Sequence, residues 1–217
     1  MNKKILNQLI LDLGKGEINA EYVKDTFDIE ITKSYNNINE WADAIDDAIL
    51  HRYFSKVWQP DMKKWKHSGL QLIDEVNNLR PRNVLDVGCG YNEFKGKINF
   101  LTGIDPYNDK ADILIKTIDY TPKQKFDIIL CLGSINFGSQ IKIETEVAHC
   151  ASLLEKGGTM FFRVNPGVKH DKPESKWIDF FAWNVPFIIE LADKLNLKVL
   201  DIRDDTNKRK YFVYRKI

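Results

Sequence analysis

The sequence is short of cysteine, of charge of one sign and of long apolar runs, and each shortage closes off a class of protein. Cys89, Cys131 and Cys150 are the three cysteines, scattered along the chain. No two stand at metal-ligand spacing, and an odd number builds no disulfide framework, which suits a reducing compartment. The formal net charge is +1, so nothing draws the chain generally toward nucleic acid or an anionic membrane. No stretch approaches the roughly 20 apolar residues of a membrane span. Met1-Asn2-Lys3-Lys4-Ile5 lacks the apolar run and cleavage site of a secretory signal. The expectation is a cytoplasmic protein with no membrane partner, its oligomeric state left open. Repeats and low-complexity tracts are also missing. The 217 residues then suit one α/β domain with an extension, or two small domains.

What is present changes character near residue 80. Before it, apolar residues recur at helical spacing. One helix is predicted over Ile5–Leu13, stopping at Gly14. A second opens at Asn39 as its cap and runs to about Leu50, and a third spans Pro60 to Leu79 with Pro60 in its first turn. After Arg80-Pro81-Arg82, strands and connections alternate. Strands are expected at Asn83–Val87, Phe100–Ile104, Ile113–Lys116, Phe126–Leu132, Thr159–Val164, Lys198–Arg203 and Tyr211–Tyr214. Helices are expected at Ile141–Leu154 and Trp183–Leu195, with Glu155-Lys156-Gly157-Gly158 as a helix-ending turn. Asp204 to Lys208 is too short for a parallel crossover, so the final strand runs antiparallel to its neighbour. The reading is an α/β, Rossmann-like fold: a mainly parallel seven-stranded sheet with an antiparallel last strand. Residues 1–80 form a helical cap and 81–217 the main domain.

The richest stretch is Val84-Leu85-Asp86-Val87-Gly88-Cys89-Gly90-Tyr91-Asn92. An apolar strand runs into Gly88 and Gly90, where the backbone can turn sharply and a ligand can approach closely. Leu101-Thr102-Gly103-Ile104-Asp105 ends a second strand in a carboxylate. This is the layout of a nucleotide-like cofactor site. A dinucleotide fingerprint needs a third small residue where Glu93 stands, and its carboxylate is unwelcome near a pyrophosphate. A P-loop needs Gly-Lys-Ser/Thr, which is missing. A nicotinamide-dependent oxidoreductase stays as one alternative.

From Asn83 to Ile217 the order of motifs resembles the class I S-adenosylmethionine-dependent methyltransferases. Val84 to Gly90 is similar to that family's first motif, and Asp105 to the acid after its second strand, which binds ribose hydroxyls. Thr117-Ile118-Asp119-Tyr120 resembles the third motif, whose acid receives the adenine amino group. Phe126 to Ser134 resembles the fourth strand, and Leu153 to Met160 the helix–Gly-Gly–strand passage. Asn92 departs from the pattern, standing where many members have glycine. The resemblance implies S-adenosylmethionine as cofactor. It would be held by Asp86, Gly88, Cys89, Gly90 and Asp105 with Pro106, then Asp119 and Tyr120, then Leu132 and Gly133. A catalytically inactive cofactor-binding partner is the other alternative to an enzyme.

For the methyl acceptor the sequence speaks by exclusion. After the fourth strand there is no Asp/Asn-Pro-Pro-aromatic tetrapeptide of DNA amino-methyltransferases. Cys131 lacks the Pro-Cys context of cytosine-C5 enzymes, and no Lys-Asp-Lys-Glu set is complete. A small-molecule acceptor remains, facing Ser134, Asn136 and Phe137. Tyr53 and Trp58 are further candidates, since aromatic faces attract a sulfonium. Trp177, Phe180, Phe181 and Trp183 either wall a planar acceptor or pack the next helix. His170, beside Asp171, is the candidate general base, with an exposed loop histidine as the plainer reading.

Overall fold

Short β-branched and apolar runs bounded by turn residues form the sheet, and their alternation decides what each face covers. The computed structural model describes residues 2–14, 16–170 and 172–217. The strands are β1 (Val84–Val87), β2 (Leu101–Asp105), β3 (Ile113–Leu114), β4 (Phe126–Leu132), β5 (Leu154–Val164), β6 (Leu197–Asp204) and β7 (Lys210–Lys216), in the spatial order β3-β2-β1-β4-β5-β7-β6. β1 to β5 pair in parallel, and β7 runs antiparallel to both β5 and β6.

Successive side chains on a strand point to opposite faces. Leu85, Val87, Ile129, Cys131, Phe162 and Val164 pack on one face beneath α5 (Gln140–Leu153) and α6 (Val185–Lys194). Val84, Ile128, Leu130, Phe161, Tyr211 and Val213 pack on the other with α4 (Leu72–Asn78) and the turn residues Phe94 and Ile98. The second set matters for the site. Its rows continue at the sheet's carboxyl edge into Asp86 on β1, Arg163 on β5 and Arg209 just before β7.

The N-terminal segment builds α1 (Lys3–Leu13), α2 (Ala20–Phe27) and α3 (Ile38–Arg52). They share a cluster of Ile5, Leu9, Val23, Phe27, Trp41 and Ile45, joined by Ile178 from the chain after β5. The helix α2 goes beyond the sequence reading. Its signals are Asn19, whose side chain caps Tyr22 N, and Val23 and Phe27 one turn apart. The cap of α3 is Asn37 rather than Asn39, its Oδ1 accepting from Asn39 N and Glu40 N at 3.0 Å.

The helix expected over Pro60–Leu79 is broken. A 3₁₀ turn at Met62–Lys64 and α4 are all that forms, because a buried acid takes the amides between them. Asp205 Oδ1 accepts from Lys66 N at 2.8 Å and His67 N at 3.2 Å, while its Oδ2 accepts from Ser68 Oγ. Amides so engaged cannot close helical bonds. The Gly157-Gly158 passage lies inside β5, which begins at Leu154 directly after α5. Between β1 and β2 the chain makes turns and no helix. No helix among the described residues is long and apolar enough to cross a membrane.

Candidate active site

A cavity of about 530 Å³ opens at the carboxyl edge of the sheet, under α3. Its floor starts where β1 ends. Gly88 has φ +64°, and a Cβ there would lie 2.4 Å from Ser134 Cβ, so both conformation and space demand glycine. Gly90, at φ +52°, faces open space. Asn92 has φ +55°, a left-handed position that glycine fills most easily and asparagine tolerates. Its Nδ2 donates to Lys110 O at 3.0 Å.

Two carboxylates flank this turn. Asp105 is 6% exposed and accepts three backbone amides: Tyr107 N at 2.7 Å, Asn108 N at 2.9 Å and Gly90 N at 3.0 Å. It thereby clamps the glycine turn to the end of β2. Asp86 is 4% exposed. Burial, and then the charge of Asp105, push its carboxyl up to about 7. Burial likewise raises the thiol of Cys89, helped by Asp86 and Asp105. Pro106, Leu132 and Gly133 complete this end of the wall.

The roof comes from α3 and the loop after β2. Asp47 accepts from Tyr107 Oη at 3.2 Å and pairs with Lys116 Nζ at 2.7 Å. Thr117 and Ile118 line the cavity, whereas Asp119 of the same turn is exposed and outside the wall. Tyr120 is also outside it, packed near Phe126, with its carbonyl 3.0 Å from His149 Nε2. Asp46 and Glu146 add acids to the wall, and burial raises both.

The far end is aromatic and basic. Ser134, Asn136 and Phe137 all line it. Ser134 Oγ has no hydrogen-bond partner among the described residues. Asn136 Oδ1 accepts from Asn165 N at 2.8 Å, pinning the end of β5. Trp58 stacks on His170 at 4.4 Å, and Phe180 lies 4.6 Å from the same ring. Tyr53 is fully buried behind the wall rather than in it. Of the aromatic run from Trp177 to Trp183, only Phe180 reaches the cavity. Trp183 packs in the core beside Phe187 and Phe212 and donates to Ile135 O at 3.0 Å.

His170 is neither an exposed loop residue nor an available base. Arg209 Nη2 donates to its Nε2 at 3.0 Å, and Tyr53 Oη lies 2.7 Å from Nδ1. A guanidinium only donates, so Nε2 is unprotonated and Nδ1–H points at Tyr53 Oη. The lone pair a base would use is therefore occupied. Asp171, its expected neighbour in function, lies outside the described residues.

Sequence reasoning missed Arg163, Arg209 and Trp65. Arg163 is 5% exposed, Arg209 7%, and both line the cavity. The Arg163 guanidinium lies over the Trp65 ring, 4.1 Å from its centroid. The available signal was a lone arginine interrupting Met160-Phe161-Phe162-Arg163-Val164 at the end of an otherwise apolar strand.

No protein-family model matches the chain, and no curated protein sequence matches it. Solved structures do. One is a Burkholderia thailandensis 1,6-didemethyltoxoflavin-N1-methyltransferase with bound 1,6-didemethyltoxoflavin and S-adenosylhomocysteine. It has a TM-score of 0.61 and 15% identity over 87% of this chain and 94% of that one. The fold is that of the S-adenosylmethionine-dependent methyltransferases. The magnesium protoporphyrin IX methyltransferase of Synechocystis, with bound S-adenosylmethionine, aligns at TM-score 0.55 and 12% identity over 86% of this chain and all of that one. An S-adenosylmethionine-dependent methyltransferase from Clostridium acetobutylicum gives 0.54 and 15%, covering 83% and 99%. With this methyltransferase fold, the cavity lies at the carboxyl edge where open α/β sheets bind ligands.

Proposed function

We propose that the chain is an S-adenosylmethionine-dependent methyltransferase acting on a small molecule. The observation that carries this reading is Asp86, a buried carboxylate beside Asp105 at the glycine turn. A carboxylate raised by burial and by a neighbouring acid is relieved by a cation placed between them, and the methionyl ammonium is such a cation. The amides from Gly88 to Tyr91 suit the methionyl carboxylate. Asp105 spends three of roughly four acceptor positions on amides, which leaves room for one ribose hydroxyl. In this reading Thr117 and Ile118, which line the cavity, border the base instead of Asp119.

When bound, S-adenosylmethionine supplies an electrophilic methyl group on a sulfonium. The protein's part is to hold the acceptor in line and exclude water, which lowers the barrier by fixing the approach. The stretch Ser134 to Phe137 borders the space beyond the glycine turn and gives the acceptor its place. We assign no general base. The cavity falls in the usual range of about 300–1,000 Å³ for small-molecule sites, and one cavity must hold both reactants, which favours a small acceptor. Residues 1–80 serve in this reading as a cap over a main domain of residues 81–217. The shared cluster of α1 to α3 supports that division, although α4 packs on the sheet.

Calorimetric titration with S-adenosylhomocysteine tests the reading. Saturable binding with one site is expected, and absence of binding would sink it.

A further inference from the structure

The glycine-turn end of the cavity is built for a cation, but the opposite end holds two buried guanidiniums, of which only Arg163 is paired with a carboxylate among the described residues. Arg163 Nε lies 3.4 Å from Asp205 Oδ2, and its Nη2 donates to Thr206 O at 3.2 Å. Arg209 gives Nη2 to neutral His170 and has no ion pair among the described residues. Arg163 Nε and Arg209 Nη1 make no hydrogen bond there, and water does not reach either atom. Asp205 stands behind the wall, and no carboxylate of the wall acts on either arginine. Burial lowers both guanidiniums, and the charge of Arg209 lowers Arg163 further against the pull of Asp205. Among the described residues, two positive charges and one negative leave about one unit of buried positive charge uncompensated. A buried charge without a counter-charge is costly, and an unmade hydrogen bond adds to the cost.

Resting on the methyltransferase reading, we propose that the acceptor is a planar aromatic carboxylate whose carboxylate is bound at Arg209 and Arg163. Both arginines line the cavity, so an incoming carboxylate meets Arg209, which has no ion pair among the described residues. The single missing negative charge matches a carboxylate, whereas a phosphate monoester brings about −1.5 to −2. The rings of Trp58, Phe137 and Phe180 provide flat apolar faces for the body of the molecule. Anion at one end and sulfonium donor at the other then place each reactant beside the opposite charge, which fixes their relative orientation.

Benzoate, benzamide and phenyl phosphate are the probes, titrated by ligand-observed NMR into the protein with and without S-adenosylhomocysteine. Benzoate should saturate and bind about tenfold tighter than its neutral isostere benzamide, the scale of charge-assisted hydrogen bonds. Arg209→Gln should erase that preference, and Arg209→Lys should retain part of it. Equal binding of benzoate and benzamide by the unaltered protein would overturn the proposal, even where a variant fails to fold. So would an undiminished benzoate preference in folded Arg209→Gln and Arg163→Gln proteins. Tighter binding of phenyl phosphate than of benzoate would overturn the carboxylate assignment. Failure of S-adenosylhomocysteine to bind, with the benzoate preference intact, would overturn the methyltransferase reading and leave the anion site standing.

Discussion

The two ends of the cavity are built on opposite plans. At the glycine-turn end the backbone does most of the shaping: positive-φ residues make the turn, and Asp105 ties three amides together. The residues involved lie within a short span of sequence, from Asp86 to Asn108. At the arginine end, side chains do the shaping, and they arrive from five separate places: Trp58, Trp65, Arg163, His170 and Arg209. In the proposed reading the first plan holds a cofactor shared by many enzymes with few residues. The second can be altered one side chain at a time without touching the turn, which is how one fold takes many acceptors.

The largest effect should come from breaking the clamp. Asp105→Ala leaves three amides without their acceptor and should cost about 3–5 kcal/mol of stability, the range for a broken buried charged network. S-adenosylhomocysteine binding should fall with it. Urea unfolding and calorimetry on the same protein measure both, and an unchanged midpoint would show that the turn does not depend on this carboxylate. Next is Gly88→Ala, at about 2–4 kcal/mol from left-handed strain together with overpacking on Ser134. Gly90→Ala carries only the backbone part, about 1 kcal/mol, because its Cβ enters open space. The two should therefore differ in melting temperature, while Gly90→Ala keeps the fold and loses ligand. Equal destabilisation would mean that the close approach of Ser134 is not tight in solution.

This contrast explains what was legible. The strands, the antiparallel last strand and the glycine turn follow from local apolar runs and from glycines whose backbone role is written in one short segment. The cap of α3 at Asn37 and the whole of α2 rest on single polar residues and are easily misplaced. The helix expected from Pro60 to Leu79 failed for a different reason. Its amides belong to Asp205, about 140 residues away in the chain, and no window of sequence contains both partners. Arg163 left only the trace of a charge breaking an apolar strand, and Arg209, just before β7, left none, since an arginine reads as exposed until its neighbours in space are known. His170 was noticed for its chemistry, but its partners Tyr53 and Arg209 change its part from base to acceptor of a guanidinium hydrogen bond.

The acid end also makes a pH-dependent prediction. The folded state raises Asp86 from 3.8 to about 7, so it holds a proton that the unfolded chain has released. That contribution is present below the unfolded value and is lost as pH rises through the folded one. The slope is at most about 1.4 kcal/mol per pH unit. Asp46 and Glu146 act in the same direction. Asp112, Asp127 and Asp205, held low by hydrogen bonds and ion pairs, act oppositely and lose stability on acidification. Comparing Asp86→Asn with the unaltered protein isolates the one group: the variant should lack its share of the decline between about pH 4 and 7. Binding of S-adenosylhomocysteine should release a proton below pH ~7 as Asp86 ionises against the ammonium. Calorimetric enthalpies that do not depend on the buffer would contradict that pairing.

His170→Phe should have a modest effect and separates two parts the residue can play. Phenylalanine keeps a ring between Trp58 and Phe180 but removes the acceptor for Arg209 Nη2, leaving that guanidinium with one more unmade hydrogen bond. About 1–2 kcal/mol of stability should be lost, and benzoate should bind severalfold more weakly while S-adenosylhomocysteine binds as before. A base would behave differently. Removing it would leave both affinities intact and abolish turnover, because Nε2 would have been accepting a proton from the substrate rather than a hydrogen bond from Arg209. Binding measurements on this one variant therefore tell whether the arginine end is held by its own side chains, as the glycine-turn end is held by Asp105.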